Sequence, residues 1–152
     1  MSFKLDAMNF LIKQFNELTT TELYALLALR SEVFVVEQNC VYQDLDGIDQ
    51  QSIHLLFYNE LDLIGTLRIV PKGLIYNEIA IGRVCLAQNY RLKGNGKALM
   101  QAGIEYVMKG EKQAIRISAQ AHLEKFYTNL GFKSTEKAYL EDGIPHIEMV
   151  LI

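Results

Sequence analysis

Short runs rich in apolar residues recur along the chain and predict strands, although alternation is imperfect in the first of them. These runs lie at 10–15, 52–58, 63–70, 74–86, 115–121, 132–141 and 144–151. Short turn signals such as Asp142-Gly143 separate several of them, so neighbouring strands are expected to pair antiparallel. The run at 115–121 follows a whole predicted helix and is therefore expected to lie parallel to the strand before that helix.

Three segments have helical spacing instead. Thr19 and Glu22 form the signature of a capping box, and leucines follow at helical spacing as far as Arg30. The apolar run Val33–Val36 predicts the end of a helical hairpin and the entry to a loop. Further helices are predicted from about 94 to 109 and over 122–130, where Gly131 would end the second of them.

Arg30 falls on or beside the apolar face of the first helix, which leaves two interpretations. It could extend its charge to solvent near the helix C-terminus, or it could lie at a binding cleft. Together the segments predict one α/β (α+β) domain with a mixed, mostly antiparallel central sheet flanked by helices. Met8 closely precedes the first strand-like run, so residues 1–7 could be a flexible, dispensable extension.

Composition narrows the class of protein. Among 152 residues, 50% are hydrophobic and 22% charged, which is ordinary for a globular domain. The net charge of -3 provides no overall attraction for nucleic acid. No apolar run approaches the roughly 20 residues that span a bilayer, and no secretory signal is visible. Cys40 and Cys85 are expected to be free thiols, so we expect a cytoplasmic protein without a nucleic-acid or membrane partner, either monomer or homodimer.

The acidic segment Asp44–Asp49 partly matches a calcium loop. Counting from Asp44, Gly47 is fourth instead of sixth, and Leu55 stands where a bidentate Glu belongs, so calcium is rejected. No His, Cys and Asp spacing suggests another metal. The segment is expected to be a solvated acidic turn, or alternatively an acidic lip that attracts a cationic substrate.

The most informative chemistry lies in 79–100, where a strand leads through Arg91-Leu92-Lys93-Gly94-Asn95-Gly96 into a helix. A glycine-rich basic turn before a helix N-terminus predicts an anion site, most often for phosphate. A Walker loop is excluded because Ala98 follows Gly96-Lys97, and a dinucleotide fingerprint because Leu99 occupies the position of its third small residue.

Arg91-x-x-Gly94-x-Gly96 before a helix, with Ala121-x4-Phe126-Tyr127-x3-Gly131-Phe132 downstream, resembles the GNAT superfamily of N-acetyltransferases. The resemblance covers nearly all of the chain after Met8. Segments 30–49, 82–84, 120–122 and 142–147 are similar to its ElaA-like branch. The resemblance implies a GNAT acyl-CoA N-acyltransferase fold that transfers the acetyl group of acetyl-CoA directly to a small-molecule or peptide amine.

The resemblance also implies a cofactor site. The family has a bulge in its fourth strand, which splays that strand from the fifth and exposes backbone groups for pantetheine and the thioester carbonyl. The residues expected to bind coenzyme A are Val84, Cys85, Leu86, Arg91, Leu92, Lys93, Gly94, Asn95, Gly96, Lys97, Ala98 and Phe126. Cys85 also raises a covalent acyl-enzyme route, which we disfavour because it lacks a histidine partner nearby in sequence.

For the chemistry, the resemblance implies that Tyr127 is the general acid for the departing thiolate, because a phenol stays protonated at neutral pH. The general base is left open among Glu37, Asp142 and His146. Arg30, Gln38 and Asp142 are expected to contact the acceptor, and His54 and His122 to be structural. The alternatives are an acyl-CoA-binding domain without turnover, an enzyme for longer acyl-CoA, and a structural or interaction protein.

Overall fold

The computed structural model describes residues 8–152, and the predicted extension at 1–7 lies outside them. A seven-stranded sheet with the order β1-β2-β3-β4-β5-β7-β6 forms its centre. The strands are β1 (Met8–Gln14), β2 (Ile53–Asn59), β3 (Asp62–Val70), β4 (Ile79–Leu86), β5 (Ile115–Gln120), β6 (Lys133–Glu141) and β7 (Ile144–Leu151). β4 and β5 pair parallel, and the other neighbours pair antiparallel. The mixed, mostly antiparallel sheet is therefore confirmed.

Three helices flank the sheet: α1 (Thr20–Arg30), α2 (Asn95–Met108) and α3 (Glu124–Asn129). The capping box is present, because the Glu22 amide donates to Thr19 Oγ1 at 3.0 Å and the Thr19 amide donates to Glu22 Oε1 at 2.9 Å. α2 lies close on β3, since a Cβ added at Gly103 would meet the Leu67 side chain at 3.0 Å. Leu99 and Met100 on α2 are fully buried in the core.

Two details of the prediction are wrong. The helical hairpin is absent between α1 and β2: α1 continues as a wider π-helix over Ser31–Glu37, and most of the chain up to β2 is irregular apart from one short turn of helix. β4 begins at Ile79 instead of Leu74, because residues 71–78 form turns around Gly73, which has φ of 86°. The helix predicted over 122–130 is present: it begins as a 3-10 turn, Ala121–Leu123, and continues as the short α3.

The expected bulge and splay of the fourth strand are both present. The β3–β4 register shifts between Thr66 and Arg68, opposite Arg83 and Val84, and Arg83 has a left-handed φ of 50°. β4 pairs with β5 only at Ile79–Ile115 and Ala80–Arg116. Beyond that point the two strands diverge and leave a gap in the middle of the sheet.

Candidate functional site

A cavity of about 900 Å³ opens where β4 and β5 diverge. Its lining joins the glycine-rich turn, the end of β4, the π-helical segment and the turn between β6 and β7. Of the predicted catalytic and acceptor residues, Glu37, Gln38, Tyr127, Asp142 and His146 line this one cavity, and so do all the predicted cofactor residues except Lys93, Asn95 and Ala98. They come from segments up to about a hundred residues apart.

The glycine-rich turn leads directly into α2. Gly94 is its N-cap with φ of 83°, a conformation that glycine adopts without strain, and the preceding Leu92 has φ of 62°. The first bond of the helix runs from the Ala98 amide to the Gly94 carbonyl at 3.1 Å, so the amides of 95–97 have no partner within the helix. Lys93 and Lys97 are exposed beside these amides. The turn therefore carries the polarity that an anion needs.

Phe126 and Asn95 shape this turn. A Cβ added at Gly96 would lie 3.5 Å from the Phe126 ring, so the ring packs directly on the glycine. The Asn95 amide group donates to the Tyr90 carbonyl at 2.9 Å and holds the approach to the helix. The motif residues thus form one rigid wall of the cavity.

The side chain of Arg91 is directed elsewhere. Its Nε and Nη2 donate to the Leu86 carbonyl at 3.0 and 2.8 Å, and Nη2 also donates to Glu37 Oε1 at 2.6 Å. Arg91 therefore ties the end of β4 to the π-helical segment. Its charge is balanced locally by Glu37, so the exposed lysines and the α2 amides are the groups left for a phosphate.

The backbone of β4 alternates between its two neighbours. Cys85 lies opposite Thr66 on β3, and the Ala87 amide donates to the Ile64 carbonyl at 2.7 Å. By the alternation of an antiparallel ladder, the backbone groups of Val84 and Leu86 face the opposite side, into the gap beside β5. Because Arg91 occupies the Leu86 carbonyl, the Leu86 amide is the group of that residue directed into the gap.

Cys85 is poorly suited to covalent catalysis. Its side chain is buried, and burial raises the pKa of the thiol to about 12. A thiol with such a pKa is not a thiolate at neutral pH and is a weak nucleophile. This supports the expectation that an acyl-enzyme on Cys85 is not used.

Tyr127 lies on α3 at the cavity wall. The ring is 7% exposed and makes edge-on contacts with Phe126 and Phe132, with centroids 5.0 and 6.0 Å away. Burial raises the pKa of the phenol to about 12. The group therefore remains a protonated donor at neutral pH.

His146 lies on β7 with its two ring nitrogens in different surroundings. Nδ1 lies 2.7 Å from the Ile144 carbonyl, an acceptor only, so Nδ1 carries the proton and Nε2 has a free lone pair in the neutral ring. Nε2 lies 3.6 Å from Glu141 Oε2. The ring stacks on Tyr139 with centroids 6.0 Å apart. His146 can therefore accept a proton and share the resulting charge with Glu141.

The other predicted acceptor residues are held by neighbours. Glu37 is bound by Arg91, and Gln38 accepts from Gln120 Nε2 at 3.3 Å. Asp142 is at the β6–β7 turn with φ of 51°, and its carbonyl accepts from Cys40 Sγ at 3.4 Å. These contacts make Glu37 a less available base than His146.

Arg30 does not line the cavity, so neither interpretation from the sequence describes it. It is 1% exposed, its Nε donates to Asp44 Oδ2 at 2.9 Å, and its other nitrogens donate to Asp49 at 2.8 and 3.2 Å. We leave it out of the substrate site. Its role is to neutralise two buried carboxylates.

The acidic segment is likewise neither a solvated turn nor an acidic lip. Arg68 donates to Asp46 and Asp49, and Arg83 contacts Asp44 and Asp46. Asp44 and Asp49 are each 4% exposed. We call this set the arginine–aspartate cluster: Arg30, Arg68, Arg83, Asp44, Asp46 and Asp49. Its charges balance, which removes the reason to expect a cationic substrate from this segment.

Several cavity residues were missed from the sequence. Ser118 and Gln120 line the cavity from β5, Glu141 lies beside His146, and Tyr139 shares a hydrogen bond with Ser118. The alternation of β5 was the available signal, since its odd positions are buried and its even positions, Arg116, Ser118 and Gln120, are not. Because Gln120 lies opposite His146 in the β5–β7 register, this polar face continues onto β7.

Residues 8–152 contain no helix long and apolar enough to cross a membrane. No group of three or more His, Cys, Asp or Glu within the same range is arranged to hold a metal ion.

Known proteins are similar to this chain over most of its length. The family described as "Acetyltransferase (GNAT) domain" matches residues 17–152. Protein ElaA of Escherichia coli is 40% identical over 137 residues, covering 88% of this chain and 90% of ElaA. A UPF0039 protein of Schizosaccharomyces pombe is 37% identical over 147 residues, covering 95% of this chain and 97% of its own.

Solved structures agree with these relatives. The crystal structure of E. coli ElaA superposes with a TM-score of 0.88 at 36% identity, covering 95% of this chain and 99% of that one. The crystal structure of an acyl-CoA N-acyltransferase from Pseudomonas aeruginosa superposes with a TM-score of 0.86 at 38% identity and the same coverage.

Proposed function

The chain belongs to the GNAT acetyltransferase family, and on this premise we propose that it transfers the acetyl group of acetyl-CoA to an amine by direct attack. One observation carries the proposal: the gap between β4 and β5 brings strand backbone groups, the N-terminus of α2, Tyr127 and His146 onto one cavity. The cavity thus offers an anion site at one end and acid–base groups at the other. A structural or interaction protein would have no use for that combination.

In this proposal acetyl-CoA is the co-substrate. Its pyrophosphate is held by the amides at the start of α2, with Lys93 and Lys97 adding charge. Its pantetheine arm runs along β4 against the backbone groups of Val84 and Leu86. A backbone amide at this edge would also stabilise the oxyanion that develops on the thioester oxygen.

The proton transfers use two different side chains. His146 Nε2 takes a proton from the ammonium form of the acceptor, and Glu141 stabilises the imidazolium. The neutral amine attacks the thioester carbon and a C–N bond forms, which places a negative charge on the thioester oxygen. The C–S bond breaks when this oxyanion collapses. Tyr127 donates its proton to the departing sulfur and recovers one from the nitrogen of the new amide. Each group then returns to its starting protonation state once His146 releases its proton to solvent.

The acceptor proposed is a small-molecule or peptide amine. The cysteines support the proposed cytoplasmic location, because Cys40 and Cys85 are both free thiols, as is typical of a reducing compartment. The protein is proposed to be a monomer or a homodimer, and its mass in solution distinguishes the two. Gel filtration with light scattering measures it directly.

The experiment that tests the proposal follows free thiol release from acetyl-CoA across a panel of amines, alongside thermal unfolding with and without acetyl-CoA. Stabilisation together with amine-dependent thiol release is the expected result. Stabilisation without release from any amine would favour the binding-only alternative. Release from butyryl-CoA or longer thioesters at a higher kcat/KM would favour the longer acyl donor. No stabilisation at all would refute the proposal.

A further inference from the structure

Arg83 occupies an unusual place on β4. It has a left-handed φ of 50° inside a strand, a conformation that costs strain for a residue with a Cβ. It lies at the break in the β3–β4 register and immediately precedes Val84, and both residues line the cavity. Neighbouring contacts must therefore offset the strain if the bulge is to keep its shape.

The shorter contacts come from Asp44, and a longer one at 3.4 Å joins Arg83 Nη2 to Asp46 Oδ2. Arg83 Nε lies 2.8 Å from Asp44 Oδ1, and Arg83 Nη2 donates to the Asp44 carbonyl at 2.8 Å. The side chain of Asp44 thus holds the arginine by charge, and its backbone by a hydrogen bond. The buried position of Asp44, 4% exposed, limits the movement of this contact.

Asp44 is itself fixed from two other directions. Arg30 Nε donates to Oδ2 at 2.9 Å, and the Tyr42 hydroxyl donates to Oδ1 at 3.1 Å. Arg30 also holds Asp49, so the anchor extends from α1 across the whole acidic segment. The cluster therefore joins α1 to the bulge of β4 by a continuous chain of ion pairs.

We propose that Arg83 is a positioning residue, held by Asp44, that keeps the β4 bulge in the shape that directs the Val84 and Leu86 backbone groups into the cavity. The acidic segment Asp44–Asp49 then supports the cofactor-binding part of the site through Arg83 and does not itself contact substrate. This inference rests on the proposed function, because it assumes that coenzyme A binds along β4.

Arg83→Ala is the main test, because it removes the contacts with Asp44 but keeps the Cβ. Arg116→Ala is the matched control. Arg116 also pairs with two carboxylates, Glu78 and Glu148, and its side chain is 22% exposed against 21% for Arg83, but it lies on β5 away from the bulge. Arg83→Gly is the third variant, because glycine adopts the left-handed conformation without strain.

Binding of coenzyme A to the full chain is measured by calorimetry, and folding of each variant by circular dichroism and thermal unfolding. We expect Arg83→Ala to raise the Kd about tenfold, since misdirected amides lose their hydrogen bonds. Arg116→Ala should leave the Kd within about twofold at a similar loss of Tm. Arg83→Gly should bind more tightly than Arg83→Ala.

Other results would overturn the inference. If Arg83→Ala bound coenzyme A as tightly as the unchanged chain, or if Arg116→Ala weakened binding by the same factor, Arg83 would have no special part in positioning β4. If the unchanged chain failed to bind coenzyme A, the proposed function itself would fall, and this inference with it.

Discussion

The arginine–aspartate cluster and the cavity both contain buried ionisable groups, but these groups have opposite surroundings. In the arginine–aspartate cluster every charged side chain contacts an opposite charge, and Arg30 and Asp49 are almost inaccessible. On the cavity, Tyr127 is nearly as buried, but it lies in the hydrophobic core and makes edge-on contacts with two aromatic rings. His146 has one nitrogen bonded and the other free.

The difference shows how burial changes the pKa of a group that has an oppositely charged partner and of a group that has none. Burial by itself would raise the pKa of Asp49, but the bonds and charge from Arg30 and Arg68 outweigh it and leave the pKa below its usual value. Burial of Tyr127 meets no such opposition and raises the pKa of the phenol. In the arginine–aspartate cluster, ion pairs thus keep the side chains charged and stabilise the fold. On the cavity, Tyr127 keeps a proton that it can donate in a reaction.

The largest expected effect comes from breaking the cluster. Arg30→Met should lower the free energy of unfolding by about 3–5 kcal/mol, because it leaves Asp44 and Asp49 buried with one partner fewer. Urea denaturation measures it. The control is Lys13→Met, which removes the more exposed pair with Glu22 and should cost about 0–1 kcal/mol. A cost for Arg30→Met no larger than for the control would show that the cluster is not a stabilising unit.

The second-largest effect is expected from Tyr127 on the cavity. Tyr127→Phe should lower kcat about 100-fold, as expected for loss of a general acid, while the Kd for coenzyme A and the Tm change little. The ring contacts remain, and only the hydroxyl is lost. Tyr106→Phe, a partly exposed tyrosine on α2, is the matched control. Unchanged kcat in Tyr127→Phe would remove this residue from the mechanism.

A smaller effect is expected from His146. His146→Gln should lower kcat/KM about tenfold at pH 7, and the loss should shrink at higher pH, where more of the acceptor is already a neutral amine. Glu37→Gln should instead weaken coenzyme A binding without this pH dependence, because Glu37 holds Arg91. If Glu37→Gln showed the pH-dependent loss and His146→Gln did not, Glu37 would be the base.

The fold was largely predictable, for physical reasons that concern local periodicity. Strands such as Ile115–Gln120 alternate clearly, and the capping box at Thr19 is a local hydrogen-bond pattern. The helical hairpin was wrong because Val33–Val36 continues α1 as a π-helix, which has no distinct local signal. Arg30 was misplaced because its partners lie 14 and 19 residues ahead, in an irregular segment that no periodicity describes.

The candidate site was predictable in its cofactor half and less so in its acceptor half. The turn 91–96 is continuous in sequence, so its motif is visible. Ser118, Glu141 and Tyr139 come together only through the β5–β7–β6 register, which depends on strand order. That Arg91 binds the Leu86 carbonyl and Glu37 also depends on tertiary contacts.

The smallest effect per step concerns stability against pH, to which groups in and beside the arginine–aspartate cluster should contribute while Tyr127 on the cavity should not. Burial lowers the pKa of His54, whose ring contacts the Asp49 carbonyl, so below about pH 6.5 the unfolded chain binds a proton that the folded chain resists. The free energy of unfolding should therefore fall, by no more than about 1.4 kcal/mol per pH unit from this one group.

A second fall should begin below about pH 4, because the hydrogen bonds from Arg68 hold the pKa of Asp46 well below its usual range and Asp49 is held low as well. Stability from depressed carboxyl groups is present above the unfolded pKa and is lost as pH falls toward the folded one. Tyr127, with its pKa raised to about 12, contributes nothing in this range. Urea unfolding between pH 8 and 3 measures both steps, and His54→Gln should remove the first alone. A first step that persists in His54→Gln would assign that step to a group other than His54.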